Sequence, residues 1–155
     1  MQCAIYELQE IKKKLLLKKK NLLVLARHQG RIILLWDEAS ALWTLPGGCC
    51  AKLETKEAAV RRIMGDALGD AEFDVELLCG FGVTGEGGKE LAGYAYLADV
   101  REWKGEYAAK ARAFERMPLS SQLAEAGLVL GLHKWAGDFF DERLEIERLG
   151  DVANP

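Results

Sequence analysis

No apolar run in this 155-residue chain extends beyond a few positions, so no membrane-spanning helix is expected. The N-terminus lacks the basic-then-apolar order of a signal peptide: Glu7 and Glu10 precede the lysines, and Leu15–Leu17 is too short an apolar region. Neither sign of charge dominates. With 24 Asp+Glu against 21 Lys+Arg the net charge is −3, which argues against a protein whose main task is coating nucleic acid. Cysteine and histidine are few, four and two. A zinc site needs about four thiolate or imidazole ligands, and Cys3, Cys79, His28 and His133 lie at no zinc-like spacing. Free thiols in a reducing, cytoplasmic compartment are therefore expected. There is no internal repeat, and no low-complexity tract beyond the lysines.

Half of the residues are hydrophobic, too many for a disordered chain, and the length fits one globular domain with its own core. Charge is unevenly spread. Residues 1–31 carry eight bases (Lys12, Lys13, Lys14, Lys18, Lys19, Lys20, Arg27 and Arg31) against two acids, a local +6. The remainder carries 13 bases against 22 acids, a local −9.

Ala4, Leu8, Ile11 and Leu15 recur at helical spacing, which predicts an amphipathic basic helix over 4–17, within an N-terminal segment 1–20. Its lysines read as a solvated face near the helix's negative C-terminal end, with a phosphate-binding or partner-binding patch as the alternative. Asn21–Ala26 and Arg31–Trp36 read as strands of a hairpin turning at His28-Gln29-Gly30, and 37–42 reads as a loop. Thr55 to Leu68 reads as a helix, with Thr55 as cap, Glu57 in the first turn and Gly69 as stop. Phe73–Thr84 and Leu91–Val100 read as strands, joined by Gly85-Glu86-Gly87-Gly88. Pro118-Leu119-Ser120-Ser121 reads as the N-cap of a helix from Gln122 to Trp135, followed by a helix over 138–149 and a frayed tail. This order predicts a single α+β layered domain over 21–150, with 151–155 as tail.

The informative stretch is Leu45 to Gly69. Gly48 is followed six positions on by Glu54, Arg62 lies eight positions further, and Gly69 seven further again. The lead-in is Leu42-Trp43-Thr44-Leu45-Pro46-Gly47-Gly48, and Arg116-Met117-Pro118-Leu119 precedes the late helix. In this register the stretch resembles the box of the Nudix hydrolases, and the resemblance covers roughly residues 21–135. It implies an α/β/α sandwich around a mixed sheet. It also implies Mg²⁺-dependent (or Mn²⁺-dependent) hydrolysis of phosphoanhydrides in nucleoside diphosphates linked to another group. By resemblance Glu54 pairs with Arg62 and braces the loop, while Asp66 and the Gly47 carbonyl hold the metal. Glu54, Arg62 and Asp66 are thus the candidate catalytic residues, and Gly47 and Asp66 the candidate metal ligands.

The family places three carboxylates on the helix face after the arginine. Here those positions are Ile63, Asp66 and Ala67, so one acid of three remains. Mg²⁺ takes hard oxygen ligands in octahedral geometry, which apolar side chains cannot supply. The expected activity is weak or absent, with the metal weakly bound if at all. The alternative is a non-catalytic nucleotide-binding or protein-interaction module on the same fold. A third reading uses Cys49 or Cys50 in different chemistry. Glu106 and Glu115 are candidates for a further carboxylate, and exposed loop acids otherwise. Trp36, Trp43 and Trp103 are core aromatics or stacking platforms. The implied partners are a nucleotide-like small molecule and, because dimers are common in the family, a second copy of the chain. No membrane and no specific nucleic acid is expected.

Overall fold

The computed structural model describes residues 2–6, 21–84, 90–104 and 110–137. Along the chain run β1 (Gln2–Tyr6), β2 (Asn21–His28), β3 (Arg31–Asp37), β4 (Leu42–Thr44) and β5 (Gly47–Cys49). Helix α1 (Lys56–Leu68) comes next, then β6 (Ala71–Thr84), β7 (Glu90–Trp103), β8 (Ala111–Phe114), a 3-10 turn at Ser120–Gln122, and helical residues 126–137. The sheet runs β1-β6-β7-β2-β3-β4, with β5 on β2 and β8 on β3. It is mixed: β2 and β7 are parallel and the other pairs are antiparallel.

Side chains alternate across the sheet because the strand period is two. Leu22, Val24 and Ala26 of β2 join Ala59, Val60, Ile63, Met64 and Leu68 of α1 in one core layer. Leu25, with Leu34 of β3 and Leu97 of β7, joins Leu128, Val129, Leu132 and Ala136 in the other. One helix therefore covers each face, giving the expected α/β/α sandwich. The hairpin turn forms as read: Gln29 and Gly30 both have positive φ, 53° and 77°, the pairing that joins twisted antiparallel strands in two residues. Thr55 caps α1 by accepting from the Ala58 amide at 3.1 Å. Gly69 closes it, donating to Gly65 O at 2.9 Å.

Two expectations need correction. Residues 2–6, the start of the predicted N-terminal helix, form β1 and pair with Gly80–Thr84 of β6. Ile5 packs against Gly131, where an added Cβ would lie 3.0 Å from Ile5 Cδ1. An open sheet edge and a covering helix thus draw this stretch into the sheet, and with it Ala4, the first residue of the predicted helical stripe. Residues 7–20, with the lysines, lie outside the described residues. So do the Gly-rich turn at 85–89, the segment 105–109, and 138–155 with its predicted final helix and tail. The predicted helix from Gln122 instead begins at 126. Ser120–Gln122 is a 3-10 turn without a side-chain cap, and Leu123 is extended. Pairing explains this: Leu123 bridges Trp43, and the Ala124 amide donates to Trp43 O at 2.8 Å. A strand-like contact there competes with helix and delays it.

A bulge sets up the site. The β6–β7 register shifts between Leu77 and Cys79. Before it Phe73, Val75 and Leu77 face α1; after it Leu78, Cys79 and Phe81 lie in the opposite layer. One extra residue reverses the faces of the strand beyond it. Phe81 is thereby turned toward the helical residues 126–137.

Candidate functional site

Gly47 and Gly48 sit in β5 and pair with Leu23 and Leu22 of β2. From Cys49 the chain loops over to Thr55 and α1. Arg62, on the second turn of α1, closes this loop. Its Nε donates to Glu54 Oε2 at 3.0 Å, and its Nη2 to Glu54 Oε1 at 3.0 Å and to Cys49 O at 2.8 Å. The Ala51 amide adds a further donor to Glu54 Oε1 at 2.9 Å. Fork-on-fork contact of guanidinium and carboxylate is the geometry in which such pairs are strongest. Hydrogen bonds from Arg62 and then from the Ala51 amide hold the Glu54 carboxyl down to about 2, from an ordinary 4.5. The Arg62 pKa rises correspondingly, chiefly through its hydrogen bond to Glu54.

The brace should depend on pH. Because the folded Glu54 pKa is depressed, its contribution to stability is present above about 4.5 and is lost as pH falls through about 2. The melting temperature of the protein should therefore exceed that of Glu54→Gln at neutral pH, and the gap should close between those two values. A gap that does not change with pH would mean that the brace does not depend on the charge of Glu54.

The face of α1 beyond Arg62 is apolar at two of the three positions where the box resemblance places acids. Ile63 is only 5% exposed and belongs to the core layer. Its Cδ1 and Cγ1 would each lie 3.3 Å from a Cβ added to Gly48, so it fills the gap between helix and glycine turn. Ala67 is half-buried and packs on the same layer. Asp66 is exposed and acts on Arg62 through its charge. Glu57 is exposed and lies 3.5 Å from Arg61, one helical turn on. Glu115 is exposed, and Glu106 lies outside the described residues. Among the described residues no group of three or more His, Cys, Asp and Glu is placed to hold a metal ion. Glu54 is committed to Arg62 and Ile63 is sealed in the core, so of the box positions Asp66 alone is left as a carboxylate ligand for a divalent ion.

The other candidates separate cleanly. Cys49 and Cys50 are free, and they point apart: Cys49 is exposed and donates its thiol to Asn21 Oδ1 at 3.1 Å, while Cys50 packs on the α1 layer. Cys79 is buried, which pushes its thiol up to about 12. His28 is buried, with Nδ1 2.8 Å from Val100 O. Trp103 is core, donating Nε1 to Leu68 O at 3.0 Å. Trp36 and Trp43 pack on each other, with ring centroids 5.0 Å apart, and Trp43 packs on Phe114.

Sequence reasoning missed a cleft of about 440 Å³ beside the glycine turn, lined by both the sheet and the start of helical residues 126–137. One wall is β2 and β5, at Asn21, Leu22, Leu23, Gly47, Gly48 and Cys49. Leu35, Thr44, Leu45 and Phe81 supply the next, and Ala124, Glu125, Leu128 and Val129 the last. Asn21 fixes the rim: its Nδ2 donates to Ala92 O at 3.1 Å while its Oδ1 takes the Cys49 thiol. The one signal in the sequence was the proximity of Asn21 to the strand's start, and nothing local marks it as functional.

A mixed sheet between two helices, with a glycine turn tied to the first helix by Glu54 and Arg62, is the architecture of a Nudix domain, and the chain has the Nudix fold. Solved structures agree. It is similar to the pyrophosphohydrolase BsRppH of Bacillus subtilis, with a TM-score of 0.59 and 21% identity over 76% of this chain and 73% of that one. It is also similar to a MutT Nudix hydrolase of Burkholderia pseudomallei (TM-score 0.51, 24% identity, 66% of this chain and 90% of that one). A mutT/nudix family protein of Listeria innocua matches with a TM-score of 0.53 and 17% identity, over 82% of this chain and 95% of that one. No protein-family model and no curated protein sequence matches the chain. No helix among the described residues is long and apolar enough to cross a membrane.

Proposed function

We propose that this chain is a ligand-binding module on the Nudix fold, in which the loop and α1 form a structural brace and metal-dependent pyrophosphate hydrolysis is weak or absent. The observation that carries this reading is Ile63, buried against Gly48 where the box resemblance calls for a carboxylate. Catalysis of phosphoryl transfer rests on cations that neutralise developing charge and on an oriented water. A helix face of isoleucine and alanine, with Asp66 its one acid, offers little of either. Arg62 serves by shaping the loop, its Nε and Nη2 being engaged by Glu54 and Cys49 O.

The second reading is a slow Mg²⁺-dependent pyrophosphohydrolase of a nucleotide-like substrate, with Asp66 and the Gly47 carbonyl as metal ligands. It is favoured by the exposure of Asp66 and by the pyrophosphohydrolase named among the similar structures. A panel of nucleoside triphosphates, ADP-ribose and dinucleoside polyphosphates, assayed with Mg²⁺ and with Mn²⁺, separates the two. The module reading expects rates near the uncatalysed background with every substrate. Metal-dependent turnover of about 1 s⁻¹ or faster, ordinary for an enzyme, would sink it. Loss of such turnover in Asp66→Asn would then assign the metal to Asp66.

A further inference from the structure

The first half of β6 has an open side. β7 pairs with β6 from Ala71 to Thr84, but β1 covers the other side only from Gly80 to Thr84. Tyr6, the last residue of β1, stands opposite Gly80, and the bulge between Leu77 and Cys79 lies next to it. A strand following β6 through that bulge would have to exchange its own two faces, which is how a bulge ends a run of pairing. Among the described residues nothing pairs with residues 71–77 on that side.

The two flanks of this edge differ in chemistry. Phe73, Val75 and Leu77 are half-buried and pack on the α1 layer. Glu72, Asp74 and Glu76 alternate with them and are exposed on the other face. β7 sets a second row of exposed acids beside the first, with Glu102 opposite Glu72 and Asp99 opposite Asp74. Like charges directly opposite each other destabilise a sheet. Against these five acids β7 and β2 set two bases: Arg101, 3.5 Å from Asp74, and Arg27, in register with Asp99.

An exposed sheet edge invites pairing, and charge on it is a common guard. Here the guard has one sign. A second copy of the same strand would bring acids against acids, whereas a strand with bases on that flank would relieve the repulsion already present. Main-chain hydrogen bonds would supply affinity, and the alternating side chains selectivity. We propose that residues 71–77 of β6 dock an extended segment of a partner protein in which basic residues alternate with apolar ones. Its bases meet the row of Glu72, Asp74 and Glu76, and its apolar side chains extend the layer of Phe73, Val75 and Leu77. This edge is separate from the brace and from the cleft, and docking on it does not depend on the module reading.

Three fluorescein-labelled heptapeptides test it by anisotropy with the full-length protein. One alternates Lys and Val, one alternates Glu and Val, and one carries the same Lys and Val residues in two blocks. The alternating basic peptide should bind saturably, and each of the other two about tenfold more weakly or worse. Its binding should slow hydrogen exchange at residues 71–77 and leave 80–84, already paired with β1, unchanged. The triple variant Glu72→Lys, Asp74→Lys, Glu76→Lys should reverse the preference between the two alternating peptides. Circular dichroism checks that the variant is folded, and if it is not, the exchange map of the native protein decides. Absence of saturable binding would overturn the proposal. So would equal binding of the block peptide, which would reduce the effect to charge alone. Protection that falls away from residues 71–77, or a folded triple variant with unchanged preference, would also overturn it. Turnover in the hydrolase panel would leave each of these results as it stands.

Discussion

Ile63→Glu should destabilise the protein by about 3–5 kcal/mol, the cost of a buried charge without a partner. For a chain of this size that lowers the melting temperature by about 10 °C or more. The position coincides in register with a metal-binding glutamate of the resembled box, so restoring the acid looks like a repair. The packing opposes it. Ile63 is 5% exposed, touches the α1 core layer, and lies against Gly48 with no room for a hydrated ion between. Ala67→Glu, at a half-buried position, should be milder, at about 1 kcal/mol. Thermal melts of the two variants, with and without millimolar Mg²⁺, check this. If Ile63→Glu is as stable as the native protein, or gains several degrees on adding Mg²⁺, the gap is a latent metal site and the module reading fails.

Gly93→Ala should be comparably severe, at about 3 kcal/mol or more. Gly93 faces Asn21 across the parallel β2–β7 pair, and an added Cβ would overlap Asn21 O. Backbone on both sides leaves no flexible side chain to yield. Moving Asn21 would also disturb its bonds to Ala92 O and the Cys49 thiol, and with them the rim of the cleft. Gly65→Ala provides the contrast. Gly65 is exposed within α1, and a Cβ there would meet nothing within 4 Å. Alanine's better helix propensity should stabilise by about 1 kcal/mol. Two identical substitutions should thus move the melting temperature in opposite directions. A tolerated Gly93→Ala would show that β2 and β7 can separate at Asn21 at little cost.

The sandwich was legible in the sequence wherever local and tertiary signals agreed. Gln29-Gly30 turns a hairpin because both residues reach positive φ, and Thr55 caps α1 because its hydroxyl finds the Ala58 amide. The Glu54–Arg62 pair was implied by the resemblance to the Nudix box, and the two side chains do meet where the loop returns over the second helical turn. What failed was set by partners distant in sequence. Residues 2–6 are too short a run to announce a strand, and only the free edge of β6 makes them one. Leu123 is extended because Trp43, far earlier in the chain, pairs with it. The cleft was invisible for the same reason. Phe81 reaches it through a bulge at Leu77–Cys79 that no residue type signals, and Asn21 becomes a rim residue only when β5 and β7 flank it. Ile63 shows the converse. Its apolar character was plain in the sequence, but that it seals a gap, rather than merely lacking a charge, required the neighbouring glycine in place.

The three hydrogen bonds from Arg62 have a consequence for how occupancy is regulated. A loop shaped by a bound divalent ion changes form when the ion leaves, so whatever it helps to bind becomes linked to the free ion concentration. Here Arg62 reaches both Glu54 and Cys49 O, and Cys49 in turn contacts Asn21 at the rim. The same guanidinium that shapes the loop therefore reaches the cleft through one residue of β5. A change at Arg62 should then be felt at the rim of the cleft as well as in the loop.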